Sequence, residues 1–370
     1  MASPRSILVI KMSSLGDVIH AVPAAYDLRS LFPESEIHWV VDNRFKDLLP
    51  GPPWIDSQVI FDKKALKGRK AFKGLLDLRR DLRSKKPDLV IDLQGNLKSS
   101  LVAVLSGCRN RIGYWEMREG SFLFTKPVFG PNQKGHVIER YRDVIRSLGP
   151  IASAPAFQMP DYSKEAESAR EKLSKLGFRK PPAIIFPGTS WVTKQWPAEL
   201  YALLAKGLSD HGIEVAVGGS DLDKHLTEAV IEMAKPLDIR DLTGSATLRG
   251  LMGLVSQAAL CIGSDTGPMH MASAVGTPTV ALFGPTSGAR TGVIGPRAIN
   301  VSTTAECAPC FKRICPKEFI CMGLIEPGKV LEACLKALGL KSGAQEAETE
   351  EETEDDPAFG PWNGKQGLEQ

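Results

Sequence analysis

Short apolar runs bounded by polar residues alternate along the chain with longer stretches of helical spacing. Ile7–Ile10, Ile37–Val41, Gln58–Phe61 and Leu89–Leu93 have the length of buried strands. Between them, Val22–Leu31 and Lys70–Lys85 repeat Leu, Ala and aromatic residues with helical period. A Pro-, Ala- and Ser-rich stretch, "GPIASAPAFQMP" from Gly149, then leads into a charged helix that ends at Gly177. Beyond it the pattern restarts. Ala183–Phe186, Glu214–Gly218, Ala259–Gly263 and Thr279–Phe283 read as strands, and Pro197–Asp210, His225–Ala234, Leu248–Ala258 and Met269–Val275 as helices.

This alternation predicts the α/β class: two doubly wound units, each a parallel sheet with helices on both faces. The expected organisation is a first domain over 1–150, a linker and helix over 151–180, a second domain over 181–341 and a tail over 342–370. Two such units place a ligand cleft between them, at the carboxyl ends of both sheets.

Charge sharpens the picture. The chain of 370 residues has a net charge of +3, but residues 341–370 carry nine acids and two lysines, leaving a body of 44 basic and 34 acidic residues. The acidic tail, poor in aliphatic residues, is expected to be disordered. The excess is concentrated in Lys63–Lys86, with eleven basic residues and two acids. Such a block reads as a solvated helix face or as the seat of an anionic partner: a phosphorylated substrate, a membrane surface or nucleic acid. Aromatic residues are not interleaved with it, which argues against nucleic acid. No apolar run is long enough to span a bilayer, and the N-terminus lacks the apolar stretch of a signal peptide, so a cytoplasmic location is expected.

Three loops after predicted strands combine residues that carry chemistry. In "KMSSLGDVIHAVPA", Ser14 and Asp17 have the spacing of a capping box, while Asp17 also sits where a cleft should open and could accept a proton from a substrate hydroxyl. Pro23 would kink a helix that began there. In "FPGTSWVTKQWP", Thr189, Ser190 and Lys194 precede a helix start and read either as a phosphate cradle or as a surface loop with an incidental lysine. In "GSDTGPMHMASAVGTPTVALFGPT", Asp265, Thr266 and Gly267 turn a strand into a helix bearing His270. Alone that histidine would more often be a core or capping residue. Beside Asp265 and Thr266 it reads as a contact for a pyrophosphate and a sugar. Asp221 follows a strand of the second unit, where an acid commonly meets a ribose hydroxyl. No G-x-G-x-x-G opens the first unit and no Walker A motif occurs, which excludes dinucleotide dehydrogenases and P-loop NTPases.

With "VIDLQGNLKSS" and the cysteine loop ending "CMGLIEP", these motifs resemble, in order, the ADP-heptose–lipopolysaccharide heptosyltransferases, glycosyltransferase family 9. The resemblance implies the two-domain GT-B fold and an inverting transfer of heptose from ADP-heptose to the Kdo and inner-core region of a lipid A-linked oligosaccharide. It implies no cofactor and no catalytic metal. It casts Asp17 as catalytic base, with Gly16 leaving room for the acceptor hydroxyl. Thr189, Ser190, Lys194, Asp221, Asp265, Thr266, Gly267 and His270 then hold the donor. Lys63, Lys64, Arg118 and His136 contact the acceptor. The alternatives are another core acceptor or sugar donor, or a nucleotide-sugar binder without activity, although a binder has no use for a base. The basic block is expected to meet the anionic inner face of the inner membrane, with no nucleic acid bound.

Cys307, Cys310, Cys315 and Cys321 have C-x₂-C-x₄-C-x₅-C spacing. They are open to a structural metal site, to reduced, partly buried thiols, or to partial disulfides.

Overall fold

The computed structural model describes residues 3–340 except 67, 69, 70, 245, 246, 318 and 319. The tail expected to be disordered, and Lys67, Arg69 and Lys70 of the basic block, lie outside the described residues.

The first half runs β1 (Ser6–Ile10), α1 (Leu15–Leu31), β2 (Glu36–Asp42), β3 (Ser57–Phe61), α2 (Ala71–Ser84), β4 (Leu89–Asp92), α3 (Leu97–Leu105), β5 (Arg111–Tyr114), β6 (Lys126–Val128) and α4 (Val137–Arg146). Next come α5 (Ser163–Lys175), β7 (Ala183–Phe186), α6 (Ala198–Asp210), β8 (Val215–Val217), α7 (Lys224–Met233), β9 (Arg240–Asp241), α8 (Leu248–Ser256), β10 (Leu260–Ser264), α9 (Gly267–Ala274) and β11 (Thr279–Phe283). The described chain ends with α10 (Gly288–Thr291), β12 (Ala298–Ser302), α11 (Ile320–Gly323) and α12 (Pro327–Leu338).

The strands form two six-stranded sheets with the orders β3-β2-β1-β4-β5-β6 and β9-β8-β7-β10-β11-β12. Every recorded strand pairing is parallel, with Val9, for example, between Trp39 and Ile91. The two orders are the same Rossmann sequence run twice, and each reverses direction beside its first strand, where ligand crevices form.

Burial explains why the short strands were legible. β1, β4, β7, β10 and β11 are buried at every position, as strands covered on both faces must be. The largest core joins one face of each sheet through α1, α4, α8 and α9, so the two halves share a continuous interior. A smaller core lies under α2 and α3 on the opposite face of the first sheet.

α1 runs unbroken through Pro23 from Leu15, earlier than periodicity alone places it. A proline there forfeits one hydrogen bond, but the turn around it buries Val18, Ile19, Val22, Ala24 and Ala25. Packing outweighs propensity at this point. The linker is held as well: Arg142, fully buried on α4, donates to the carbonyls of Ala152, Ser153 and Ala154 and pairs with Asp27 of α1 at 2.8 Å.

Candidate active site

The candidate residues gather at the carboxyl ends of β1, β4, β7 and β10. β4 organises the first loop. Buried Asp92 accepts from the Gln94 and Gly95 N–H groups and the Ser99 hydroxyl, and Gln94 Oε1 in turn accepts from the N–H groups of Met12 and Ser13 at 3.0 and 3.1 Å. The turn carrying Asp17 is thereby tied to the neighbouring strand.

Asp17 does take part in a cap. Its Oδ2 accepts from the Ser14 N–H at 2.9 Å and the Ser14 hydroxyl at 2.8 Å. Oδ1 lies 3.9 Å from the ammonium of Lys11, which is itself buried and donates to the Leu93 carbonyl and the Tyr141 hydroxyl. Burial pushes the Asp17 carboxyl up, but Lys11, the two Ser14 bonds and His270 together outweigh it and hold the group below its ordinary value. Asp17 is therefore an ionised carboxylate at neutral pH, and a weak base in the ligand-free site.

Across from it, Lys194 Nζ meets Asp265 Oδ2 at 2.7 Å and the Asp265 carbonyl at 3.1 Å, and rests 4.7 Å from the Trp191 ring centre. Asp265 Oδ1 lies 3.2 Å from His270 Nε2. Burial would raise this carboxyl, but His270 and Lys194 hold it far below the usual carboxylate range. The hydroxyl of Thr266, at the start of α9, is buried without a partner among the described residues. Thr189 is half-buried, and its hydroxyl accepts from the Trp191 N–H at 3.5 Å, while Ser190 is exposed.

A line of polar contacts joins the two halves. His20 Nε2 lies 3.2 Å from His270 Nδ1, His136 Nε2 donates to the Gly292 carbonyl at 3.0 Å, and Glu116 pairs with Arg290 at 2.7 Å. The backbone is equally close. A Cβ on Gly16 would stand 2.6 Å from His270 Cδ2, and one on Gly267 would stand 2.2 Å from Leu15 Cδ2.

The expectation that Gly16 makes room for an acceptor hydroxyl is therefore corrected: the space is filled by the His270 imidazole. Asp265, Gly267 and His270 come together with Lys194, and Asp17 faces them across the seam. Asp221 is exposed, lying against Gly244, where a φ of +92° is open to glycine, and its carboxylate has no partner among the described residues.

The expected acceptor residues are more dispersed. Lys63 pairs with Asp42 at 3.1 Å, where Arg44 is also bonded. Lys64 and Arg118 are exposed, with no partner for either side chain among the described residues. His136 is taken up by the inter-half bond just described.

All four cysteines of the C-terminal cluster line one cavity of about 20 Å³, together with Thr193 and Lys312. None is in a disulfide, and burial, with the other three thiols adding to it, pushes the Cys321 thiol up. Among the described residues no group of three His, Cys, Asp or Glu side chains is placed to hold a metal ion. The structure thus brings Cys307, Cys310, Cys315 and Cys321 together as free thiols around one cavity.

Sequence reasoning passed over four residues that shape this site: Lys11, His20, Gln94 and Tyr141. Lys11 and His20 stand in the same short stretch as Asp17, and His20 follows it by three residues, one helical turn. That spacing was the available signal. Gln94 and Tyr141 meet the loop only through the fold.

The family model for Glycosyltransferase family 9 (heptosyltransferase) matches residues 75–320. The chain is 29% identical over 322 residues to lipopolysaccharide heptosyltransferase 1 of Pseudomonas aeruginosa, an alignment covering 84% of this chain and 87% of that one. Among solved structures, a family 9 glycosyltransferase from Veillonella parvula superposes with a TM-score of 0.76 at 26% identity, covering 90% of this chain and 97% of the other. ADP-heptose lps heptosyltransferase II of E. coli superposes with a TM-score of 0.68 at 25% identity, covering 90% and 98%. Two facing Rossmann-like sheets, the GT-B arrangement expected from the resemblance, are thus shared with these enzymes.

Proposed function

The chain belongs to glycosyltransferase family 9, the heptosyltransferases, and is a glycosyltransferase of lipopolysaccharide core assembly; on that premise we propose that it moves heptose from ADP-heptose to the Kdo region of the inner core, inverting the anomeric centre. The observation that carries this reading is the opposition of Asp17 to the Lys194–Asp265–His270 group across a seam bridged at 3.2 Å by His20.

In this reading residues 1–150 bind the acceptor and 181–341 the donor. Lys194, the Thr266 hydroxyl, Thr189, Ser190 and the Gly267 N–H at the start of α9 meet the diphosphate, and His270 and Asp265 orient it and the sugar. Asp221, whose carboxylate is free, meets the ribose. Arg118, Lys63 and Lys64 face the acidic sugars of the acceptor. The acceptor oxygen bonds to the anomeric carbon as the bond from that carbon to the phosphate oxygen breaks. The hydroxyl proton passes to Asp17, and the electron pair leaves with ADP, where Lys194 balances its charge. Because Asp17 is a weak base, proton transfer accompanies carbon–oxygen bond formation rather than preceding it, when the acceptor hydroxyl has become acidic. Holding both substrates in line supplies the orientation term.

Similarity both to a heptosyltransferase 1 and to a heptosyltransferase II supports a second reading, in which the acceptor already carries one heptose. Transfer assayed in parallel with Kdo-lipid A and heptosyl-Kdo-lipid A separates the two. Product with Kdo-lipid A is expected, and product with the second acceptor alone selects the alternative. Since the acceptor is lipid-linked, the enzyme is placed at the cytoplasmic face of the inner membrane. No helix among the described residues is long and apolar enough to cross a bilayer.

A further inference from the structure

The outer layer of the first half, on the sheet face opposite α1 and α4, is unusual. α2 buries Leu78 and Leu82, and α3 buries Val102 and Ala103, against that face. Both helices carry a second apolar stripe that no part of the described chain covers. On α2 it is formed by Phe72, 72% exposed, with Leu75 and Leu76 beside it. On α3 it is Leu97, Leu101 and Val104, one helical face at spacing i, i+4, i+7. The short turn Ser121–Leu123 packs beside α3 and adds Phe122 and Leu123, which are 58% and 73% exposed. Scattered exposed apolar residues need no explanation, but a run across three adjacent elements does.

The polar residues around this ridge are mostly cationic. α2 carries Lys73, Arg79, Arg80 and Arg83 against Asp77 and Asp81, and Arg80 is paired with Asp77. Lys98 extends the charge onto α3. The Phe122–Leu123 tip begins four residues after Arg118, whose guanidinium has no partner among the described residues and stands at the acceptor side of the proposed site.

We infer that this ridge is a membrane-docking surface, seating Phe72, Phe122 and Leu123 at the headgroup–acyl boundary of an anionic bilayer while Lys73, Arg79, Arg83 and Lys98 pair with the headgroups. Apolar tips ringed by cations are what an interfacial surface requires. Attraction to anionic lipid brings the protein to the bilayer, and apolar burial retains it there when salt screens the charges. A protein partner with so basic a rim would have to be acidic, and a second copy of this chain would set like charges against each other. The docking also gives the Arg118 side of the site a bearing: it would open next to the surface on which a lipid-anchored acceptor lies. That last point rests on the proposed acceptor, whereas the ridge itself does not.

Co-sedimentation of the full chain with vesicles of phosphatidylethanolamine and phosphatidylglycerol, against phosphatidylcholine alone, tests the inference without any transfer assay. Binding to the anionic vesicles is expected, with a remainder that resists added salt. Lys73→Ser with Arg79→Ser should weaken it about fivefold per residue. Phe72→Ser with Leu123→Ser should abolish the salt-resistant remainder, a loss of about tenfold or more. Turnover of a delipidated, soluble acceptor should be unchanged in both double variants. Equal binding to the two vesicle types, or binding indifferent to both double variants, overturns the inference. So does a concentration-dependent dimer that Phe72→Ser with Leu123→Ser disperses while vesicles go unbound. Failure of the heptose-transfer reading would leave the vesicle result untouched.

Discussion

His20 on α1 reaches across the seam to His270 on α9, Nε2 to Nδ1, at 3.2 Å. The contact orders a chain of four side chains. If His270 Nε2–H donates to Asp265, its Nδ1 is left as an acceptor, which His20 Nε2–H satisfies. His20 Nδ1 is then a bare acceptor, in keeping with that atom's being buried and having no partner among the described residues. A histidine of the Asp17 helix thus sets the orientation of the imidazole beside Asp265 and Lys194.

Asp17→Asn preserves the shape of the helix start but removes the proton acceptor. Turnover should fall by about 10² to 10⁴, the usual worth of a general base, while ADP binding stays close to that of the parent protein. Steady-state kinetics with calorimetric ADP titration check it, and a variant that turns over normally would remove Asp17 from the proposed chemistry.

Gly16→Ala drives a methyl into the His270 ring, 2.6 Å from Cδ2, and that ring is held by both His20 and Asp265. It cannot swing away without breaking one of those contacts. We expect destabilisation of about 1–3 kcal/mol and weaker ADP binding, read by thermal unfolding with and without ADP. An unchanged melting temperature in both conditions would show that the seam yields more easily than its geometry implies.

The buried histidines make stability depend on pH. Burial lowers His136 from its ordinary 6.5 to about 4, despite its bond to the Gly292 carbonyl, and burial with the neighbouring His270 and His136 lowers His20 well below 6.5. Both are neutral in the folded protein at pH 7. As pH falls below 6.5 the unfolded chain takes up protons that the folded one refuses, so stability declines through the interval down to about 4, where His136 also titrates when folded. Above 6.5 these groups contribute no slope. Melting temperatures across this range should fall on acidification, and fall less steeply in His136→Asn.

Asp27 and Arg142 form a nearly solvent-free pair that also fastens the linker carbonyls of Ala152 to Ala154. Asp27→Ala would leave the buried guanidinium with Glu139, 2.7 Å from its Nη1, as its one carboxylate among the described residues. The expected loss is about 1–3 kcal/mol, measured by denaturant unfolding. A loss under about 1 kcal/mol would mean that Glu139 and the linker carbonyls suffice to hold the arginine.

The sequence by itself determined the parallel α/β class, the doubling of the unit and the loops that carry the chemistry. Strands buried on both faces, such as Ala183–Phe186 and Thr279–Phe283, appear as uninterrupted apolar runs, and loops after strand ends are where α/β folds place function. Helices whose burial does not follow their polarity were harder to read: α3 and α4 were not predicted, because α3 exposes an apolar stripe to solvent and α4 buries Arg140, Arg142 and Asp143. What only the tertiary structure decided is how the loops meet. Gly16 looked like room for a hydroxyl until His270, 254 residues away in the chain, proved to fill it. The sequence offered Asp17 both as a cap for Ser14 and as a base; that Lys11 and His270 also act on it to keep it ionised appears only in the fold. Local pattern records which face of an element is buried. It does not record which side chains from distant elements share one low-dielectric space, and there charge and contact distance set the chemistry.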